Sequence, residues 1–209
     1  MGFKMKFRIK KHTNKDSKRL VFLLTGRGQQ AEHFLGLYSE YSDDVNYVSI
    51  EPEEWYPIPN GPQDQRASID GIKTNLYVLH KIVKRISKEF NIEKENVSLI
   101  GFSAGAVMAL ELMAHNKKNF HSVISHAGAI LRNDNFPKCK NSTPNLLLHN
   151  ENDDCFYWDE RFIPMCQCLK DKGYWFKVST QRVGGHSITV EDIKLATDFM
   201  RQQRTSRLI

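Results

Sequence analysis

The chain has 209 residues, 40% of them hydrophobic, which suits one domain with a sizeable core and is too little for two. The 30 Lys and Arg against 24 Asp and Glu give a net charge of +6, yet no nucleic-acid-binding motif accompanies that charge. No run of about 18 apolar residues is present to cross a bilayer, and the basic N-terminus lacks the apolar segment of a secretory signal.

Phe3, Met5, Phe7 and Ile9 alternate with Lys4, Lys6, Arg8 and Lys10. A period of two with lysines on one face predicts a half-buried strand at a sheet edge, so residues 1–18 are expected to form a basic edge strand and a turn. Arg19 to Thr25 is continuously apolar, as in a strand buried on both faces, and runs into the loop Gly26-Arg27-Gly28. A short helix is expected over 31–41 and a strand over 45–50. Residues 51–62 hold four of the seven prolines and predict an ordered loop without regular structure. Residues 64–90 carry Ile69, Ile72, Leu76, Leu79, Ile82, Val83 and Ile86 at helical spacing.

Strands are expected next at 97–100, 122–125, 145–149 and 175–183, with helices after 103, over 155–172 and over 188–203; Pro164 must start or kink the second of these. Strands and helices in alternation predict an α/β fold, a mostly parallel, doubly wound sheet with helices on both faces and no large cap, in a single domain spanning 1–209.

The chemistry is expected just beyond the carboxyl ends of the strands, where open α/β sheets bind ligands. The segment Gly101-Phe102-Ser103-Ala104-Gly105 joins a strand to a helix in the pattern G-x-S-x-G. Such a turn holds the serine oxygen above the sheet, with Ala104 N–H at a helix N-terminus, where negative charge is favoured. The plain alternative is a serine that caps the helix. Asp153 lies 50 residues after Ser103, and His186 lies 33 residues after Asp153, each just past a strand. Asp154 and Glu151 compete with Asp153 for the role of acid. His126 and His149, at strand ends, compete with His186, which alone follows an open Gly-Gly loop. Arg27 N–H, after the second strand, is the expected second oxyanion donor beside Ala104.

With LLTGRGQQAEHF, EEWYPIPNGPQDQ, IGFSAGA, LLLHNENDDCF and GGHSI in hand, the chain resembles the phospholipase/carboxylesterase family of small α/β-hydrolase serine esterases, which includes carboxylesterases, lysophospholipases and acyl-protein thioesterases. The resemblance covers nearly all of the chain after about residue 18. It implies Ser103 as nucleophile, Asp153 as acid, His186 as base, and Arg27 with Ala104 at the oxyanion. Trp55 and Tyr56 are expected at the rim of the site as substrate-binding residues, or else as anchors of the proline-rich loop. Two positions depart from the family pattern: Thr25 stands where a histidine often precedes the first glycine, and Ala104-Gly105 stands for the frequent Gln-Gly.

The expected activity is cleavage of carboxylic esters of short to medium acyl chains, with lysophospholipids or S-acylated proteins as alternative substrates and an inactive hydrolase-fold binding module as the alternative of another class. The expected partner is a small ester or thioester substrate, with a homodimer left open and no nucleic acid, membrane insertion, metal or cofactor implied. Four cysteines without C-x-x-C pairing fit reduced thiols, and a cytoplasmic location is expected.

Overall fold

The computed structural model describes residues 6–42, 44–56, 62–182 and 184–205. Phe3, Met5, residues 57–61 and Val183 of the expected elements lie outside them.

Among the described residues, seven strands form one sheet: β1 (Phe7–His12), β2 (Leu20–Leu24), β3 (Asn46–Pro52), β4 (Val97–Phe102), β5 (Ser122–His126), β6 (Asn145–Asn150) and β7 (Phe176–Gln181). Their order is β1-β3-β2-β4-β5-β6-β7, and every pair is parallel except β1 with β3. Among the described residues, five α-helices pack around the sheet: α1 (Ala31–Ser39), α2 (Pro62–Glu89), α3 (Ala104–Ala114), α4 (Ile163–Asp171) and α5 (Val190–Thr205). This is the mostly parallel α/β sheet expected from the alternation, and the α/β-hydrolase architecture that the resemblance implies.

Alternate residues of the central strands feed two cores. Leu20, Phe22 and Leu24 of β2 join Val97 and Leu99 of β4 under α2, α3 and α4. Val21 and Leu23 join Ile100 on the opposite face, against Phe34 and Tyr38 of α1 and Ile193, Ala196 and Phe199 of α5. A strand buried on both faces needs apolar residues at every position, which is why β2 reads as an unbroken apolar run. β1 is half-exposed and lies at the sheet edge, as its lysine alternation predicts.

Element ends differ from the sequence reading in ways that packing explains. β3 continues to Pro52 because it pairs with the edge strand, Pro52 opposite Phe7; Glu53 N–H then donates to Lys6 O at 2.9 Å. The segment 155–172 is helical only from Trp158, first as a wide turn (Trp158–Phe162) and then as α4, with Pro164 in its first turn, where a missing N–H costs nothing. The last helix begins at Val190, not Ile188. Thr189 caps it reciprocally with Asp192: Asp192 N–H donates to Thr189 Oγ1 at 3.1 Å and Thr189 N–H to Asp192 Oδ2 at 2.9 Å.

Candidate active site

β4 lies at the middle of the sheet, and the chain reverses at its carboxyl end through Ser103 into α3. Ser103 has φ 53° and ψ −118°, a conformation that side chains other than glycine rarely adopt. The flanking glycines make the reversal possible by their lack of a side chain. A Cβ on Gly101 would come within 2.4 Å of Gly105 O, and one on Gly105 within 2.0 Å of Leu24 O. The helix therefore packs directly on the end of β2, and Ser103 is fixed by its N–H donating to His126 O at 2.9 Å.

Asp153 sits three residues past β6, with its N–H donating to Asn150 O. Its side chain is buried, and Oδ1 accepts the N–H groups of Cys155 at 2.8 Å and Phe156 at 2.7 Å. His186 follows β7 through Gly184 (φ 120°) and Gly185 (φ 57°), left-handed positions suited to glycine. His186 Nδ1 lies 2.8 Å from Asp153 Oδ2, and its Nε2 lies 2.8 Å from Ser103 Oγ. With the Nδ1 proton committed to a carboxylate, Nε2 is the bare nitrogen, and Ser103 O–H donates to it. Burial pushes the Asp153 carboxyl up, but the hydrogen bonds from His186, Phe156 and Cys155 outweigh it and hold the group below the usual carboxylate value. Asp153 is thus an anion facing the imidazole.

The three residues separated by 83 positions meet within hydrogen-bond distance. Among the competing residues, Asp154 is exposed and heads no helix, and Glu151 is also exposed, 3.7 Å from Arg182. His126 is buried with its Nε2 hydrogen-bonded to Tyr38 Oη. His149 is stacked on Phe162 at 4.4 Å, with Nε2 2.9 Å from Phe156 O. Burial holds His149 below its ordinary value against the attraction of Asp153.

Ala104 heads α3, whose N-terminal end favours negative charge beside Ser103. Arg27 is exposed in the loop after β2, next to β4, because Leu24 pairs with Gly101. Gly26 N–H donates to Gln29 Oε1 at 2.9 Å, which shapes this loop. Trp55 and Tyr56 do not form an open rim: they are 4% and 1% exposed and belong to the core under α3. Tyr56 Oη donates to Ala104 O at 3.4 Å, and the Arg27 guanidinium donates to Tyr56 O. An aromatic pair after a strand buries its area where a helix covers it. Here that ties the Arg27 loop to the start of α3.

Several residues around the site escape sequence reasoning. Asn150 Nδ2 donates to Gly185 O at 2.7 Å and Asn152 Oδ1 accepts Gly185 N–H at 3.0 Å, so the Asp153 loop holds the His186 loop. Phe102 and Phe156 flank the imidazole, their ring centroids 5.1 and 5.8 Å from it. Only the position of Asn150 at a strand end hinted at a role. A cavity of about 540 Å³ between α2 and α3, lined by Val83, Lys84, Ile92, Lys94 and Phe120, opens instead beside the amino ends of β4 and β5, away from Ser103.

The sequence matches a profile described as phospholipase/carboxylesterase over residues 39–203. No curated protein matches it. Solved structures similar to it include an esterase, PE8 (TM-score 0.83, 22% identity, 95% of this chain and 99% of that one). Others are a phospholipase/carboxylesterase from Dyadobacter fermentans (0.78, 18%, 95% and 98%) and the Bacillus cereus carboxylesterase (0.78, 16%, 96% and 95%). At these identities the likeness shows the fold.

Proposed function

The chain belongs to the phospholipase/carboxylesterase family of ester hydrolases, and on that premise we propose that it cleaves carboxylic esters of short to medium acyl chains through an acyl-enzyme on Ser103. The observation that carries the reading is the single imidazole of His186 spanning Ser103 Oγ and Asp153 Oδ2 at 2.8 Å each.

In this reading Ser103 Oγ attacks the acyl carbon while its proton passes to His186 Nε2. Asp153 stabilises the imidazolium and keeps its orientation. The carbonyl oxygen becomes an oxyanion, facing the N–H groups of Ala104 and Arg27. Collapse breaks the ester bond, and the leaving alkoxide takes the proton from Nε2. Water then gives its proton to the same nitrogen and attacks the acyl-serine, releasing the carboxylic acid and restoring Ser103.

The test is hydrolysis of a p-nitrophenyl ester series by the wild type and Ser103→Ala. The variant is expected to lose about three orders of magnitude or more in kcat. Equal rates would overturn the reading. Rates are expected to fall for chains beyond about six carbons, since each further methylene offers roughly 0.8 kcal/mol only if it is buried. A continued rise would favour lysophospholipids or S-acylated proteins, and failure of a fluorophosphonate to label Ser103 would favour an inactive binding module.

A further inference from the structure

Cys155 stands two residues after Asp153, on the turn closed by its own N–H to Asp153 Oδ1 at 2.8 Å. It is the one exposed cysteine of the four. A carboxylate oxygen of Asp153, the Cys155 sulfur and a ring nitrogen of His186 all lie within 4.8 Å of one another. We propose that these three residues form an inhibitory site for a soft divalent cation of the Zn²⁺ class, which switches the hydrolase off by changing the tautomer of His186. The inhibition rests on the serine-hydrolase reading; the binding does not.

The donor set argues for the ion. One thiolate, one imidazole and one carboxylate suit Zn²⁺, whereas Mg²⁺ and Ca²⁺ prefer oxygen alone. Three protein ligands with water in the fourth position are a common zinc arrangement. Bonds of about 2.0–2.3 Å at tetrahedral angles set ligand atoms about 3.3–3.8 Å apart. The Cys155 sulfur needs to close by about an ångström from the limit observed, within reach of an exposed side chain. The carboxylate and Nδ1, now 2.8 Å apart, need to open by roughly half an ångström to admit the ion. Two anionic ligands, Asp153 and the Cys155 thiolate, would balance the two positive charges in a partly buried place.

The proton balance gives the consequence. The ring nitrogen facing Asp153 is Nδ1, which carries the proton in the resting state. A metal ion bonded to Nδ1 takes the place of that proton, which moves to Nε2. The Cys155 thiol releases its own proton to solvent as the S–metal bond forms. Nε2 then donates to Ser103 Oγ instead of accepting from it, so the serine loses its base even while the imidazole stays beside it. Removing the ion by chelation returns the proton to Nδ1 and the base to Ser103.

The test pairs metal binding with activity, using the reduced, metal-free protein. Zn²⁺ is titrated into the wild type and Cys155→Ser in competition with a chromophoric chelator, and Co²⁺ is added separately to look for thiolate-to-cobalt charge-transfer absorption. The wild type is expected to bind one Zn²⁺ and to show the cobalt band. Loss of outer-shell partners alone weakens metal sites by about 10–100-fold, so loss of the sulfur is expected to weaken Zn²⁺ binding by at least about tenfold and to abolish the band. Esterase activity of Cys155→Ser without metal is expected within about twofold of wild type, while inhibition by Zn²⁺ requires about tenfold more metal; Mg²⁺ should inhibit neither. Absence of Zn²⁺ binding, or equal binding and inhibition in both proteins, would overturn the site. Cys155-dependent binding by a protein without esterase activity would uphold the site and overturn the hydrolase reading instead.

Discussion

Ser103 holds a backbone conformation that costs about 1–3 kcal/mol for a residue with a side chain. That cost persists because Gly101 and Gly105 permit the sharp reversal and His126 O accepts the serine N–H. The same economy of support applies to His186, whose loop contains two left-handed glycines and depends on Asn150 and Asn152 for its position. Asn150→Ala is therefore expected to lower kcat by roughly ten- to a hundredfold with little change in KM, because small misplacement of a catalytic group is felt in the transition state. The rate of fluorophosphonate labelling at Ser103 should fall in parallel; wild-type labelling would show that Gly185 is held by other contacts. Ser103 and His186 stood out in the sequence because one lies in the G-x-S-x-G turn and the other follows a Gly-Gly loop, whereas Asp153 was one of three acids just past a strand. Asn150 and Phe156 were not, because their roles arise from contacts between loops 35 and 30 residues apart.

At the level of elements, α3 owes its place to what is absent at position 105. A methyl group there would meet Leu24 O at 2.0 Å and Thr25 O at 2.6 Å, backbone atoms with no flexible side chain to give way. Gly105→Ala is expected to destabilise the fold by about 1–3 kcal/mol or more and to displace Ser103, as overpacking does. Gly36 in α1 is the internal contrast, since nothing lies within 4 Å of its added methyl. Gly36→Ala should raise stability by about 0.5–1 kcal/mol through helix propensity alone. Urea denaturation of the pair measures both, and equal shifts would show that the approach of α3 to β2 is not rigid. The helix ends carry a similar lesson. The start of α5 is settled by the Thr189–Asp192 cap, and its Asp192 also accepts from Gln181 of β7, a partner that no local pattern reveals.

Across the whole molecule, the sheet separates two apolar cores, and the face covered by α1 and α5 buries a polar pair within it. Tyr38 Oη and His126 Nε2 share a hydrogen bond, while His126 Nδ1 has no hydrogen-bond partner among the described residues. Burial lowers the His126 pKa to about 4, against the attraction of Asp192. Above about pH 6.5 the imidazole is neutral folded or unfolded; below it, the unfolded chain takes up a proton that the folded one refuses. Stability is thus expected to be retained above about pH 6.5 and to fall as the pH drops toward 4. His126 supplies about 2 kcal/mol of that loss at about pH 5. In His126→Gln the drop between about pH 7.5 and about pH 5 should be smaller by about that amount; an unchanged drop would place the sensitivity on other groups.

By itself the sequence determined the order of strands and helices, the edge position of the basic strand and the turn carrying Ser103, since these rest on local period and on the stereochemistry of glycine and proline. It also narrowed the acid and the base to residues just past strand ends. Only the tertiary structure decided which of them meet, because a hydrogen bond between positions 103 and 186 depends on how β4, β6 and β7 lie side by side. Between a rim position and an anchoring role for Trp55 and Tyr56, it placed both rings in the core, a choice that depends on which elements pack over them. The closeness of Cys155 to Asp153 and His186 was likewise invisible in the chain, because it arises from the turn that folds the cysteine back over the carboxylate.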